Sequence, residues 1–299
     1  MLFVVGSGPS GVASATALIQ KGLKVTMLDV GNELEKDKKS DLEHAKKVYL
    51  SNQQINHPHK SILGKDLQKR VFNSDFTFRG VNKYIKFQSS GGVTCLSSFA
   101  KGGLSNAWGA GVEKFPENEF KDWPITYSQL VTYYDHVYNL IKPVTAYQSE
   151  HGSVNLSSGF QLSRQARHLL NNLATNRKKL NSLGLNFGAS TLATNFSDCA
   201  YCGYCQHGCP LDLIYSASHT LESLKKHQSF TYLRNIMVDR VRESGTEVEI
   251  FTKNTKSLGL KVYKATRIYI ACGAAVSTLL VAKSTNLTNK KIKFKDSTH

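Results

Sequence analysis

Leu2-Phe3-Val4-Val5-Gly6-Ser7-Gly8-Pro9-Ser10-Gly11 decides the reading of this chain. The apolar residues 2–5 read as a short buried strand, and the glycines at 6, 8 and 11 read as a tight turn leading into a helix. Val12 to Lys21 carries Ala13, Ala15, Ala17, Leu18 and Ile19, small and apolar residues suited to close packing on a sheet. Gly22 ends that helix, and Lys24-Val25-Thr26-Met27-Leu28-Asp29 reads as a second strand. Each glycine has a physical task. Gly6 permits the turn, Gly8 lets backbone approach a pyrophosphate, and Gly11 lets the helix sit tightly on the strand. The phosphates of a dinucleotide would then lie at the positive end of the helix dipole. Asp29 stands where a carboxylate accepts hydrogen bonds from ribose hydroxyls. An accidental glycine turn is the bland alternative, and it lacks this strand–turn–helix–strand–acid context.

Outward from this unit, residues 31–60 are polar and charged, and read as a weakly helical excursion over the surface. Phe87 to Val112 is rich in Gly and Ser. Helices are predicted from near Tyr127 to Lys142, over Ser163–Leu183 and over Ser216–Lys226. Short strands are expected around 230–250 and 259–271, before Cys272-Gly273-Ala274-Ala275 turns into a helix from about Val276. There is no internal repeat. The order implies an α/β, Rossmann-type nucleotide domain with a substrate-binding lobe inserted between its parts. The expected boundaries are a βαβ unit over 1–35, a cofactor-wrapping segment over 36–115, an inserted lobe over 116–228 and the return of the nucleotide domain over 229–299.

Composition sets few limits. The 299 residues are 40% hydrophobic and 20% charged, ordinary for a globular protein. No stretch reaches the ~20 apolar residues of a membrane helix, and Met1 runs into the first strand with no basic leader, so a cytoplasmic location is expected. The net charge of +16 is spread in short clusters without an aromatic-interleaved basic stripe. It reads as a solvated lysine-rich surface, and no nucleic-acid partner is expected.

Cysteine usage is more pointed. Four of six cysteines form the run Cys199-x-x-Cys202-x-x-Cys205-x-x-x-Cys209-Pro210, the spacing of bacterial ferredoxins. Thiolates so spaced can fold round one cubane, with Gly203 and Gly208 letting the loop curl. A 4Fe–4S or 3Fe–4S cluster, a zinc ion, and plain thiols or disulfides all remain open. Cys95 and Cys272 read as small buried hydrophobes.

The first glycine motif does not choose between FAD and NAD. A second does: Lys101-Gly102-Gly103-Leu104-Ser105-Asn106-Ala107-Trp108-Gly109-Ala110-Gly111. Together with Gly6 to Gly11 and Asp122-Trp123-Pro124-Ile125-Thr126-Tyr127, it resembles the glucose–methanol–choline (GMC) oxidoreductases. The resemblance implies FAD as cofactor and oxidation of an alcohol or sugar hydroxyl to a carbonyl. It implies that Gly102, Gly103, Ser105 and Asn106 lie along the flavin pyrophosphate and ring, and Asn106 is offset in spacing from the family's asparagine. It further implies that Val238, in Asn235 to Val241, meets adenine through its backbone, and that Ala271 and Gly273 return to the FAD. Some GMC sugar dehydrogenases carry an iron–sulfur cluster on a cysteine loop, which would pass electrons singly to an external acceptor.

The family's catalytic base is a histidine on a C-terminal segment. No residue matches it: the ten histidines are scattered, His219 falls on a predicted helix and His299 is the last residue. The catalytic residue is therefore unknown and expected beyond residue 299, and the chain is expected to be C-terminally truncated. Two other functions compete. One is a flavin–thiol oxidoreductase using a cysteine pair; the other is an inactive FAD-binding fragment.

Overall fold

The structure is a computed structural model that describes residues 1–50, 71–85, 95–143, 162–185, 187, 190–288 and 290–291. His299 and parts of the glycine- and serine-rich segment lie outside the described residues. The chain divides into two compact units, Met1–Leu42 with Ser61–Ala107 and Ser216–His299, and Glu43–Lys60 with Trp108–Tyr215.

The first unit is built on four parallel strands. β1 (Leu2–Val5) pairs on one side with β2 (Val25–Leu28) and on the other with β7 (Arg267–Ile270), and β3 (Phe230–Leu233) joins the outer edge of β2. A second, antiparallel sheet runs β4 (Ile236–Ser244), β5 (Glu247–Asn254), β6 (Leu260–Ala265) in that order. Side-chain alternation along β1 sorts the core into two layers. Val4 points to a cluster with Val12, Ala15, Leu18 and Ile19 of α1 (Pro9–Gln20). Ala217, Leu221 and Leu224 of α7 (Ala217–Leu224) complete that cluster. Phe3 points the opposite way, to Leu28 of β2 and to Ile250 and Ala265 of the antiparallel sheet. Burying each of these large apolar side chains contributes about 1.5–3 kcal/mol. This is the expected α/β, Rossmann-type architecture.

Helix α1 begins where Pro9 can occupy the first turn without forfeiting a hydrogen bond. It ends at Gly22, whose φ of +76° allows Leu23 to donate back to the Leu18 carbonyl at 3.1 Å. The strands expected around 230–250 belong to different sheets. The chain turns between β3 and β4 at Asn235, which has a φ of +62° and donates its N–H to the Val30 carbonyl. α8 (Ala274–Ser284) follows β7 and packs on β4. A one-turn helix, α3 (Val81–Tyr84), packs Val81 against Ile85 and Phe99.

The structure departs from the sequence pattern along two helical stretches. Residues 36–50 form a helix, α2 (Lys36–Leu50), rather than a weakly helical excursion. Its lysines, glutamate, alanine and leucines are good helix formers even without a strong apolar stripe. The helix expected over Ser163–Leu183 breaks at Asn176 into α5 (Arg164–Thr175) and α6 (Arg177–Ser182).

The second unit contains α4 (Tyr127–Ile141), α5, α6 and the cysteine loop. Thr126 and Gln129 close a capping box at the start of α4, and Trp123 stacks among Phe115 and Phe120. The segments around Ala110, Ala193 and Tyr215 pair by backbone hydrogen bonds, and Trp108 Nε1 donates to the Tyr215 carbonyl at 2.8 Å. Among the described residues no helix is long and apolar enough to cross a membrane.

Candidate functional site

The three glycines of the first turn meet different surroundings. A Cβ on Gly6, where φ is +95°, would lie 2.6 Å from the Ala271 carbonyl oxygen. A Cβ on Gly11 would collide with the Gly6 carbonyl. At Gly8 nothing lies within 4 Å of the Cβ position. Two glycines thus permit close packing, and the third faces open space at the N-terminus of α1. Gly8 is the N-cap of that helix, offers no side chain to cap it, and no acidic residue occupies the first turn. The first N–H groups of α1 are therefore left for an anion.

The second glycine turn backs directly on to the first. A Cβ on Gly103 would stand 3.2 Å from Gly8 Cα, and one on Gly102 would stand 2.9 Å from both Ser216 Oγ and the Ser218 nitrogen. Both have positive φ, +89° at Gly102 and +61° at Gly103. The side chains that follow are turned inward. Ser105 Oγ donates to the Gly102 carbonyl at 2.5 Å and accepts from the Ala217 N–H at 2.9 Å, tying the turn to the start of α7. Asn106 donates to the Lys101 and Gly103 carbonyls and accepts from Ser216 Oγ. Both residues shape the turn through internal bonds. His219 lies in the capping box of α7, its Nδ1 accepting from the Ser216 N–H at 3.4 Å.

Ser7 is 1% exposed and joins three segments. Its hydroxyl donates to Asp29 Oδ2 at 2.5 Å and accepts from the Gly102 N–H at 3.0 Å. Tyr232 on β3 donates to the same Asp29 oxygen at 2.9 Å. Tyr232 was not legible as part of this site, because it lies 203 residues from Asp29 in an ordinary strand pattern. Gly31 lacks a side chain where one would strike the Tyr232 hydroxyl. The β3–β4 corner hangs from the same place, since the Ile236 N–H donates to the Asp29 carbonyl at 2.9 Å. Val238 follows two residues later, half-buried against the Phe3 and Leu28 layer. Ala271 closes over Gly6, and Gly273 begins α8 with a φ of +81°.

Burial pushes the Asp29 carboxyl up to about 6, against hydrogen bonds from Ser7 and Tyr232 that pull it down. Glu33 lies in the opposite balance. Burial alone would raise it, but the hydrogen bond from Lys101 and the charges of Lys101, Arg234 and Lys39 hold it at about 2. The signs give opposite pH effects. A raised carboxyl favours the fold fully below its usual value of 3.8, and that contribution is lost as pH climbs through about 6. The depressed Glu33 contributes above its usual 4.5 and fails as pH falls toward 2. For Asp29 the loss is roughly 3 kcal/mol, at about 1.4 kcal/mol per unit. The Asp29→Asn variant without cofactor is thus expected to melt above wild type at pH 8 and level with it at pH 4. Parallel melting curves across that range would overturn the assignment.

In the second unit the cysteine run forms a loop closed by the Asn195 N–H donating to the Leu213 carbonyl at 2.9 Å. Left-handed backbone at Tyr201, Gly203, Gly208 and Asp212 curls it. The Tyr201 N–H donates to Cys199 Sγ at 3.4 Å and the Leu213 N–H to Cys209 Sγ at 3.5 Å. Burial raises the Cys205 thiol, and the nearby Cys209, Cys202 and Cys199 add to the rise. Yet among the described residues no three Cys, His, Asp or Glu side chains form a group that could hold a metal ion. The thiols feel one another without converging on one point. All six cysteines are free; Cys95 and Cys272 belong to the first unit. Cys95 is half-exposed rather than buried. Cys272 keeps some exposed surface, but burial around its thiol pushes it up to about 12, which makes it a poor nucleophile.

No protein-family profile matches the chain, and no curated protein matches it in sequence. Solved structures do. Pyridoxine 4-oxidase from Mesorbium loti superposes with a TM-score of 0.52 at 15% identity, over 95% of this chain and 51% of that one. L-amino acid deaminase from Proteus vulgaris matches at 10% identity with a TM-score of 0.36, over 94% of this chain and 48% of its own. The chain spans about half the length of these proteins. What the likeness to pyridoxine 4-oxidase establishes is the fold, an α/β chain of Rossmann type built on a parallel sheet.

Proposed function

We propose that this chain is the FAD-binding portion of a flavin-dependent oxidoreductase that oxidises a CH–OH group of an alcohol or sugar to a carbonyl. One observation carries the reading: two glycine turns meet at the uncapped N-terminus of α1, with free space at Gly8 and Gly103 pressed behind it. A dinucleotide pyrophosphate fits that cradle, held by N–H groups at the start of α1, while the Gly102–Gly103 turn, whose own N–H groups donate to Ser7 Oγ and the Ala100 carbonyl, backs the Gly6–Gly11 turn. Asp29, ionised at neutral pH, accepts from the adenosine ribose. Val238, Ala271 and Gly273 complete the adenine and flavin contacts on the strength of the GMC resemblance.

When bound, FAD supplies a two-electron acceptor for the hydride leaving the hydroxyl-bearing carbon. The residues described above bind and orient it; no residue is assigned the proton. The CH–OH substrate class rests on the GMC resemblance, and it gains support from a fold shared with an enzyme named for oxidising pyridoxine. The chain mixed with FAD and desalted is expected to retain flavin, with its visible bands and quenched fluorescence. A folded chain that retains none would overturn the proposal.

The finer part of the proposal concerns where the electrons go. The spacing of Cys199, Cys202, Cys205 and Cys209 is the ground for an iron–sulfur cluster relaying to an external acceptor. The thiols as placed do not make a ligand set, so no electron step is derived through them. Anaerobic reconstitution is expected to yield about three or four irons and matching sulfide per chain. Zinc, or no metal, in their place would remove the relay and leave the flavin site standing.

A further inference from the structure

Lys101 stands immediately before Gly102-Gly103, where a cation reads first as a phosphate ligand. Its ammonium instead lies between two carboxylates, Glu33 Oε1 at 3.0 Å and Glu222 Oε1 at 2.9 Å. Glu33 follows β2 and Glu222 sits on α7, so one side chain joins segments 68 and 121 residues away from it. Arg234, just beyond β3, holds the other oxygen of Glu33 at 3.0 Å. The Lys101 side chain is 19% exposed, so water screens these pairs less than it screens an open surface pair. The backbone repeats the tie. The Lys101 N–H donates to the Asn32 carbonyl at 2.9 Å, and the Asn32 N–H donates to the Phe99 carbonyl at 2.7 Å. Two residues further on, Gly103 reaches its close approach to Gly8.

We infer that Lys101 is a positioning residue: by bridging Glu33 and Glu222 it sets how the Gly102–Gly103 turn seats against the back of the Gly6–Gly11 turn, and so the placement of the backbone N–H groups that face the pyrophosphate. This role rests on the flavin reading above. It differs from direct phosphate ligation in one respect. A positioning lysine needs its carboxylates, whereas a phosphate-ligating lysine is hindered by them. Removing Glu222 therefore acts in opposite directions under the two roles.

The test compares the 299-residue wild-type chain with Lys101→Met, Lys101→Arg, Glu222→Gln and the Lys101→Met/Glu222→Gln double variant. FAD affinity is read from fluorescence quenching, flavin environment from visible circular dichroism, and folding from the melt of the cofactor-free protein. Lys101→Met is expected to weaken FAD about tenfold and to change the visible dichroism of what remains bound. Glu222→Gln is expected to weaken it in the same direction, about threefold, with the double variant little worse than Lys101→Met alone. Lys101→Arg is expected to recover most of the affinity. Tighter binding by Glu222→Gln would make the ammonium a phosphate ligand and overturn the positioning role, as would wild-type affinity and dichroism in Lys101→Met. Should Lys101→Met not fold, Glu222→Gln and Lys101→Arg decide alone. A wild-type chain that folds but binds no FAD overturns the flavin reading and this role with it; variants identical to a wild type that does bind overturn this role only.

Discussion

Gly11→Val is expected to leave no folded nucleotide-binding unit, with the variant recovered aggregated or protease-sensitive and without a cooperative melt. A Cβ at residue 11 would fall on the Gly6 carbonyl, and the next nearest side-chain atom, Ala271 Cβ, lies 3.6 Å away. The obstacle is backbone, so no rotamer change relieves it. The strain passes to the whole of α1, which would have to lift off the sheet. Val12, Ala15, Leu18 and Ile19 would then lose the packing they share with Val4 and Met27. Overpacking against movable side chains costs about 1–3 kcal/mol. Displacing a helix from its core costs more and approaches the ~5–15 kcal/mol that holds a typical domain together. Wild-type melting by circular dichroism would refute the packing role given to Gly11.

Gly8→Ala should separate folding from binding. Gly8 has an ordinary φ of −66°, and no atom lies within 4 Å of its Cβ position. The cofactor-free variant is therefore expected to melt within about 2 °C of wild type, as surface substitutions generally do. Its FAD affinity is expected to fall roughly 100-fold, close to 2.7 kcal/mol, because the methyl group occupies the phosphate approach. Unchanged affinity would place the pyrophosphate elsewhere and remove the central support for a dinucleotide site. Taken together, the two glycines give opposite phenotypes from positions three residues apart, a pattern that loss of a generic flexible turn does not produce.

The parts of this molecule legible in the sequence are those whose causes are local. The β1–turn–α1–β2 run declares itself because strand, turn and helix periods follow one another without interruption. The helix at 127–141 carries its own capping box. α2 was obscured because its lysines and acids give it little apolar stripe, and the break at Asn176 carries no Gly or Pro to announce it. The candidate site was half legible. Its glycines and Asp29 follow a spacing rule, but the side chains that organise them come from far away. Tyr232 reaches Asp29, and Lys101 reaches Glu33 and Glu222, only once the sheet has formed. Ser105 and Asn106 could be located by spacing, yet the direction of their side chains depends on α7, more than a hundred residues later.

The place of β1 between β2 and β7 also fixes an order of events during synthesis. β1, α1 and β2 leave the ribosome well before β3 and β7 and can pair at once. The other edge of β1 has no partner until residues 267–270 exist, and Met1 accepts from the Thr266 N–H across 265 residues of chain. Closing so long a loop slows the search for that pairing far more than it weakens the finished sheet. Until then Leu2 to Val5 present an open apolar edge of the kind that recruits other strands. Ala271, which closes over Gly6, arrives later still. A nascent chain halted before that residue therefore lacks both the second partner strand of β1 and the backbone that closes over Gly6.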